Sequence, residues 1–262
     1  MAEPPIRFED GAAYDRGMGR WSLLAGEVFL DWLAPPRGAR WIDVGCGSGA
    51  FTELLYQRCA AGEVQGIDPS DAQLAFARER PSVKDAVFQV GDATALPFSD
   101  NRFDAAAMAL VIFFVPDPAK GVAEMERVVR PGGIVAAYAW DMAGGGFPFE
   151  PIRSGLRDFG LTPLSPPSVD ASRMDALRHL WTGAGLGSIE TRVISVQRTF
   201  DDFGDFWTMS TASGTIRPIM AAMAADDVER LKRHVQAMLP ADPSGRITCS
   251  ALANAVKRRV LP

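Results

Sequence analysis

Short apolar or β-branched runs that stop at Gly, Asp or Pro alternate, through the first half of the chain, with segments of helical length. This is the pattern of βαβ units in an open, mostly parallel sheet. The runs are WIDV at 41–44, VQGI at 64–67, AVFQV at 86–90, DAAAMAL at 104–110 and IVAAYAW at 134–140. They do not alternate strictly, as suits strands covered on both faces. Between them, 50–60 reads as a helix with Phe51, Leu54 and Leu55 on one side, and Ser70 is placed to cap a helix carrying Leu74, Ala75 and Ala77. Pro118 fits a first helical turn, and Val122, Met125 and Val129 form a stripe that can lie on the sheet before Arg130-Pro131-Gly132-Gly133 turns the chain into the next strand.

The second half is less regular. Residues 143–168 hold a triple glycine and Pro163, Pro166 and Pro167, which predict a long loop with one short helix. Beyond it, 174–184 reads as a helix, 188–198 as a strand, 226–238 as an amphipathic helix and 246–256 as a final strand.

Composition narrows the field of functions. With 262 residues, 47% hydrophobic and 23% charged, the chain can bury a sizeable core. Its 27 basic and 32 acidic residues leave a formal charge of −5, which argues against a grip on nucleic acid and favours a small-molecule partner. Cys46, Cys59 and Cys249 form neither a CxxC pair nor a Cys/His cluster, so neither a disulfide framework nor a metal site is expected. No run approaches the roughly 18 apolar residues of a membrane span, and the expectation is a cytoplasmic protein.

The chemistry concentrates at strand ends. Asp43-Val44-Gly45-Cys46-Gly47-Ser48-Gly49-Ala50 closes the first strand and opens a helix, with glycines where a ligand must come close to the backbone. The same letters satisfy G-x-G-x-x-A across Gly45, Gly47 and Ala50, so a dinucleotide fold competes on this motif alone. Asp43 would oppose a pyrophosphate but favour a ligand carrying an ammonium and a sulfonium. Asp68, at the end of the second strand in GIDPS, stands where a carboxylate can accept both hydroxyls of a ribose. Either acid alone reads equally well as a strand-end cap. Asp92 with the Ala93 amide, after the third strand, can recognise an adenine by one acceptor and one donor, which a dehydrogenase fold does not require.

WIDVGCGSGAF, GIDPSDAQLAFAR, VGDATALPFSDNRFD and ERVVRPGG, in this order, resemble the successive motifs of class I S-adenosylmethionine-dependent methyltransferases. The nearest flavour is the small-molecule branch that holds the ubiquinone and menaquinone C-methyltransferase-like enzymes, and the likeness covers about residues 12–142. It implies an α/β Rossmann-like fold in a single domain over 1–262, with a seven-stranded sheet, helices on both faces, an N-terminal lid over about 1–33 and helical cap insertions over about 143–172 and 200–244. It implies that Gly45, Cys46, Gly47 and Gly49 line the methionine part of S-adenosylmethionine and that Asp68 and Pro69 hold its ribose. Asp92 and Ala93 would hold its adenine, with Ala109 and Leu110 near the sulfonium. By the same resemblance Tyr14 covers the methionine and Arg20, or its rival Arg16, pairs with its carboxylate.

Methyl transfer is an in-line displacement, so alignment can supply much of the acceleration without a nucleophile or an acid on the protein. Where relatives carry a polar residue after the fourth strand, this chain has Val111-Ile112-Phe113-Phe114-Val115, which leaves a general base without a candidate there. Asp141, after the fifth strand, is a possible base or a turn residue. His179 and His234 read as structural residues on helices. Phe113, Trp140, Phe203 and Trp207, the last two on one face of the stretch 199–209 if it is helical, are the expected wall for a small, partly apolar acceptor. A nicotinamide-dependent oxidoreductase and a non-enzymatic S-adenosylmethionine-binding protein stand as the alternatives, the first disfavoured by Asp43 and by the want of a Tyr-x-x-x-Lys.

Overall fold

The computed structural model describes residues 15–184 and 188–261. After a π-helical turn at Asp15–Gly19 comes the long helix α1 (Arg20–Leu33), then β1 (Arg40–Val44), α2 (Ala50–Cys59), β2 (Glu63–Asp68), α3 (Asp71–Arg78) and β3 (Val87–Val90). The chain continues through β4 (Phe103–Ala109), α4 (Pro118–Val128), β5 (Val129–Trp140), α5 (Glu150–Asp158), α6 (Met174–Gly183) and β6 (Glu190–Phe200). It ends in α7 (Phe203–Thr211), α8 (Arg217–Ala222), α9 (Ala225–Met238) and β7 (Ile247–Arg259). The sheet has seven strands in the order β3-β2-β1-β4-β5-β7-β6. Pairs among β1 to β5 are parallel, and β7 runs antiparallel to both β5 and β6.

This order places a topological switch at β1. The chain moves outward through β2 and β3, then crosses back to lay β4 on the other side of β1. The loops leaving the carboxyl ends of β1 and β4 therefore diverge and leave a crevice, the usual ligand position in an open α/β sheet. The central strands are small and apolar, Ala105, Ala106 and Ala107 facing Ile134, Val135 and Ala136, which lets helices approach both faces. On one side an aromatic group of Phe29, Phe51 and Tyr138 joins α1, α2 and β5, with the Phe29 and Tyr138 rings 4.6 Å apart.

Local signals behave as their chemistry requires. Ser70 Oγ accepts the Gln73 amide at the start of α3, and Asp117 Oδ1 accepts the Lys120 amide with Pro118 in the first turn of α4. Three expectations shift. Leu110 does not continue β4, because its backbone turns left-handed at φ 63°. Val129 belongs to β5 and not to the helical stripe: it pairs with Phe103, the Pro131-Gly132-Gly133 segment bulges, and pairing resumes at Ala105 with Ile134. Residues 257–259, charged and so outside the apolar run at 246–256, extend β7 because they still pair with β5.

Helices α5 and α9 pack on each other. His234 of α9 bonds to Asp158 of α5 at 2.8 Å, Arg230 lies over the Phe159 ring, and Gly155 gives room to Leu231 and Val235. Among the described residues no helix is long and apolar enough to cross a membrane.

Candidate functional site

A cavity of about 1090 Å³ opens at the carboxyl ends of β1, β2, β3 and β4. Its floor is the loop between β1 and α2. The Gly45 and Cys46 amides both donate to the Ile67 carbonyl, at 2.6 and 3.0 Å, which folds the loop back across the end of β2. Gly45, Gly47 and Gly49 take φ of 75°, 51° and 79°, where other residues are strained. A Cβ on Gly45 would stand 2.4 Å from a Val111 methyl, so the loop and the segment after β4 touch through the missing side chain. At Gly47 the added atom would meet nothing nearer than 3.9 Å and would project beside the cavity that this residue lines.

Asp68 sits on the wall beside this loop. Its Oδ2 accepts the Gly47 amide and its Oδ1 the Ser70 amide, both at 2.9 Å. Each carboxylate oxygen keeps a further acceptor position, so a vicinal diol can be held without breaking either bond. Burial pushes the Asp68 carboxyl above its ordinary range, with the two amides opposing. Farther along, Asp92 and Ala93 follow β3. Thr94 gives both its amide and its hydroxyl to Asp92 Oδ1, at 2.8 and 2.9 Å, and these bonds hold the Asp92 carboxyl low and ionised.

Gly45, Cys46, Gly47, Asp68, Pro69, Asp92, Ala93, Ala109 and Leu110 all line this one cavity. Asp43, Gly49 and Arg20 do not. Asp43 is wholly buried beneath the loop, where Thr52 Oγ1 donates to its Oδ2 at 2.6 Å, and it does not reach the wall. Gly49 caps α2 and faces Ala77, a Cβ there standing 3.1 Å away, because its role is to let α2 approach α3. Arg20 is exposed on the first turn of α1, whose contribution to the wall is Ser22 and Leu23 instead. Tyr14 lies outside the described residues, and the Arg16 side chain is likewise not described.

The expected acceptor wall is also corrected. Phe113, Trp140, Phe203 and Trp207 are buried in the apolar core and none lines the cavity. Phe206 packs on Phe203 and edge-on against Phe200, Trp207 packs on Phe203, and Phe200 in turn packs on Trp21, so this face of α7 covers β6. Next to Phe113, Phe114 takes the wall position, because the 3₁₀ turn Ile112–Phe114 sends adjacent side chains different ways. Val111, Val115, Pro116, Ser165, Pro167 and Tyr138 complete that end. Ser168 staples the two segments, its hydroxyl donating to the Val115 carbonyl and its amide to the Phe113 carbonyl.

Tyr138 was findable as the single phenol in the apolar strand AAYAW; Ser165 and Pro167, in a proline-rich loop, carry no periodic signal. Asp141 is a turn residue, its Oδ1 accepting the Gly144 amide, and it is absent from the wall. His179 is exposed and His234 is occupied by Asp158, so neither reaches the cavity. Among the described residues the wall carries no Lys, Arg or His; its titratable groups are Cys46, Asp68, Asp92 and Tyr138. Burial, with Asp43 and Asp68 nearby, pushes the Cys46 thiol far up, so it is no thiolate nucleophile.

Comparison with known proteins agrees with this geometry. Residues 42–137 match the family model described as a methyltransferase domain. A ubiquinone/menaquinone biosynthesis C-methyltransferase of Roseobacter denitrificans is 35% identical over 111 residues, covering 41% of this chain and 44% of the relative. The chain thus spans less than half the length of the curated relatives it matches. A putative methyltransferase of Bacillus halodurans superposes with a TM-score of 0.56 at 17% identity, over 90% of this chain and 99% of that one. The phosphoethanolamine N-methyltransferase 2 of Haemonchus contortus, solved with S-adenosyl-L-methionine, gives 0.55 at 19% identity over 90% of this chain and 52% of that one. Residues 42–137 are thus similar to a methyltransferase domain, and the chain as a whole has the class I methyltransferase fold.

Proposed function

We propose that the protein binds S-adenosylmethionine in this cavity and transfers its methyl group to a small, partly apolar acceptor. The observation that carries the reading is the meeting of Gly45, Gly47, Asp68, Asp92 and Ala93 on one wall from three separate segments of the chain. The donor set suits this cofactor. The carboxylates of Asp68 and Asp92, with no cation among the described wall residues, favour a positive ligand over a pyrophosphate. Asp68 has acceptor positions left for a ribose, and Gly47 leaves room for a ligand against the backbone.

When bound, the cofactor supplies an electrophilic methyl on a positively charged sulfur. The chain then has three tasks. Asp68 holds the ribose, and Asp92 with the Ala93 amide holds the adenine. Ala109 and Leu110 set the depth of the methyl-bearing end, Leu110 being fixed in its left-handed conformation by donation of its amide to the Tyr138 carbonyl at 2.8 Å. Val111, Phe114, Val115 and Pro167 offer an apolar surface that excludes water and aligns the acceptor. A pocket for one drug-sized ligand is roughly 300–1,000 Å³. The 1090 Å³ cavity therefore suits a cofactor and a second molecule together. Apart from Cys46, Asp68 and Asp92, Tyr138 is the one titratable wall residue among those described, so alignment and not proton transfer carries the rate. The three unpaired thiols Cys46, Cys59 and Cys249 suit a reducing cytoplasm.

The test is calorimetry with S-adenosylhomocysteine. The wild type is expected to bind it and not NADH, and Asp68→Ala is expected to bind it about 10-fold to 100-fold more weakly, since hydrogen bonds to a charged group are worth roughly 1.5–3 kcal/mol. Wild-type affinity in the variant, or tight NADH binding by the parent, overturns the reading.

A further inference from the structure

We propose that Asp43 is a specificity-determining residue of the cofactor site: sealed beneath the glycine loop, it favours the sulfonium cofactor over its neutral thioether product and releases a proton when the sulfonium form binds. The inference rests on the reading of the cavity as an S-adenosylmethionine site. It goes further by assigning a role to a carboxylate that does not line the cavity.

The geometry is that of a charge held one layer under the binding surface. Asp43 ends two residues before Gly45, which lines the cavity, and its own side chain is fully buried. Thr52 Oγ1 donates to Oδ2, while Oδ1 is buried with no hydrogen-bond partner. In the sheet Asp43 pairs with Gly66 of β2 and Ala107 of β4, neither of which offers a charge. Among the described residues, the titratable groups that face it are Asp68 at the end of β2 and the Cys46 thiol in the loop, and no cation is among those acting on it. A half-satisfied buried carboxylate costs a great deal to ionise without a compensating charge. Burial accordingly holds the Asp43 carboxyl at about 7, with the Thr52 hydroxyl pulling down and Asp68 pushing up.

The cavity above can supply the missing cation. S-adenosylmethionine and S-adenosylhomocysteine share the amino, carboxylate, ribose and adenine groups and differ in the methyl and the positive charge on sulfur. A positive sulfur favours the ionised form of Asp43, so binding lowers its pKa and sends the proton to solvent. By linkage the affinity rises by up to tenfold per pH unit between the bound and free pKa values and levels off above the free one. The shared ammonium pulls alike in both ligands, and the neutral thioether adds nothing to it. The ratio of the two affinities is therefore expected to rise toward the cofactor by about tenfold between about pH 5.5 and 7.5, which limits occupation of the site by product. Titration of the amino group, common to both ligands, cancels in the ratio.

The experiment is isothermal titration of the full chain with each ligand from pH 5.5 to 8.5, near neutrality in two buffers of different ionisation heat. Expected are proton release with S-adenosylmethionine and markedly less with S-adenosylhomocysteine, and an affinity ratio that climbs and then levels. Asp43→Asn should flatten the ratio, and Thr52→Val, which removes the bond favouring the ionised form, should move the rise to higher pH. Asp68→Asn should weaken both ligands alike and keep the climb. Equal proton release for the two ligands with a flat wild-type ratio overturns the inference and leaves the cofactor reading standing. Failure of both ligands to bind overturns the two together.

Discussion

At residue scale, the contact between Gly45 and Val111 couples the glycine loop to the segment after β4. Gly45→Ala puts a β-carbon 2.4 Å from Val111 Cγ1 and imposes φ 75° on an L side chain. The expected outcome is a loss of about 1–2 kcal/mol from the backbone alone, with more from the clash. In the double variant with Val111→Ala the clash part should be recovered and the backbone part should remain. Denaturation together with S-adenosylhomocysteine titration measures both, and strictly additive effects would show that the two residues do not meet. Asp43 bears on stability as well as on binding. Its folded pKa of about 7 lies above the ordinary carboxylate value, so the folded state binds more protons between about pH 4 and 7 and loses stability as pH rises through that window. Asp43→Asn is therefore expected to raise unfolding stability at pH 8 by up to about 4 kcal/mol relative to its effect at pH 4. A stability difference between the two proteins that does not change with pH would contradict this.

At the scale of elements, helical spacing reveals which residues share a face but not what that face meets. Phe203, Phe206 and Trp207 do lie together on α7, yet the face turns onto Phe200, because β6 is an edge strand whose inner side needs covering. The expected consequence reverses the acceptor assignment: Trp207→Ala should cost about 3–5 kcal/mol of stability while S-adenosylhomocysteine affinity stays near wild type. A stable variant with impaired turnover would restore Trp207 to the acceptor site. The strand-end motifs were legible for a different reason. A glycine loop, an acid closing the next strand and an Asp-Ala pair closing the third are each defined by sequence neighbours, and a parallel sheet brings successive strand ends to one edge. Asp43 misleads because strand polarity fixes its height along β1, whereas the loop that folds over it is held by amides of Gly45 and Cys46 on Ile67, which no spacing announces.

Over the whole molecule, the seven-stranded sheet was legible through β5 because each strand is flanked by its own helix and turn signals. Past Trp140 the pattern thins. Ser165 and Pro167 reach the cavity only because Ser168 ties their segment to Val115 and Phe113 across more than fifty residues of chain. The second insertion, α7 to α9, packs on α5 and β6 and contributes no residue to the cavity wall. The site thus draws on the domain core, the first helix and one insertion, and the central claim is that these together hold S-adenosylmethionine. Its most direct test is a crystal structure of the protein grown with S-adenosylhomocysteine. The account predicts the ribose hydroxyls on the Asp68 carboxylate, the adenine against Asp92 and the Ala93 amide, and the sulfur facing Leu110. A ligand bound elsewhere, or a ribose turned away from Asp68 in this cavity, would contradict it.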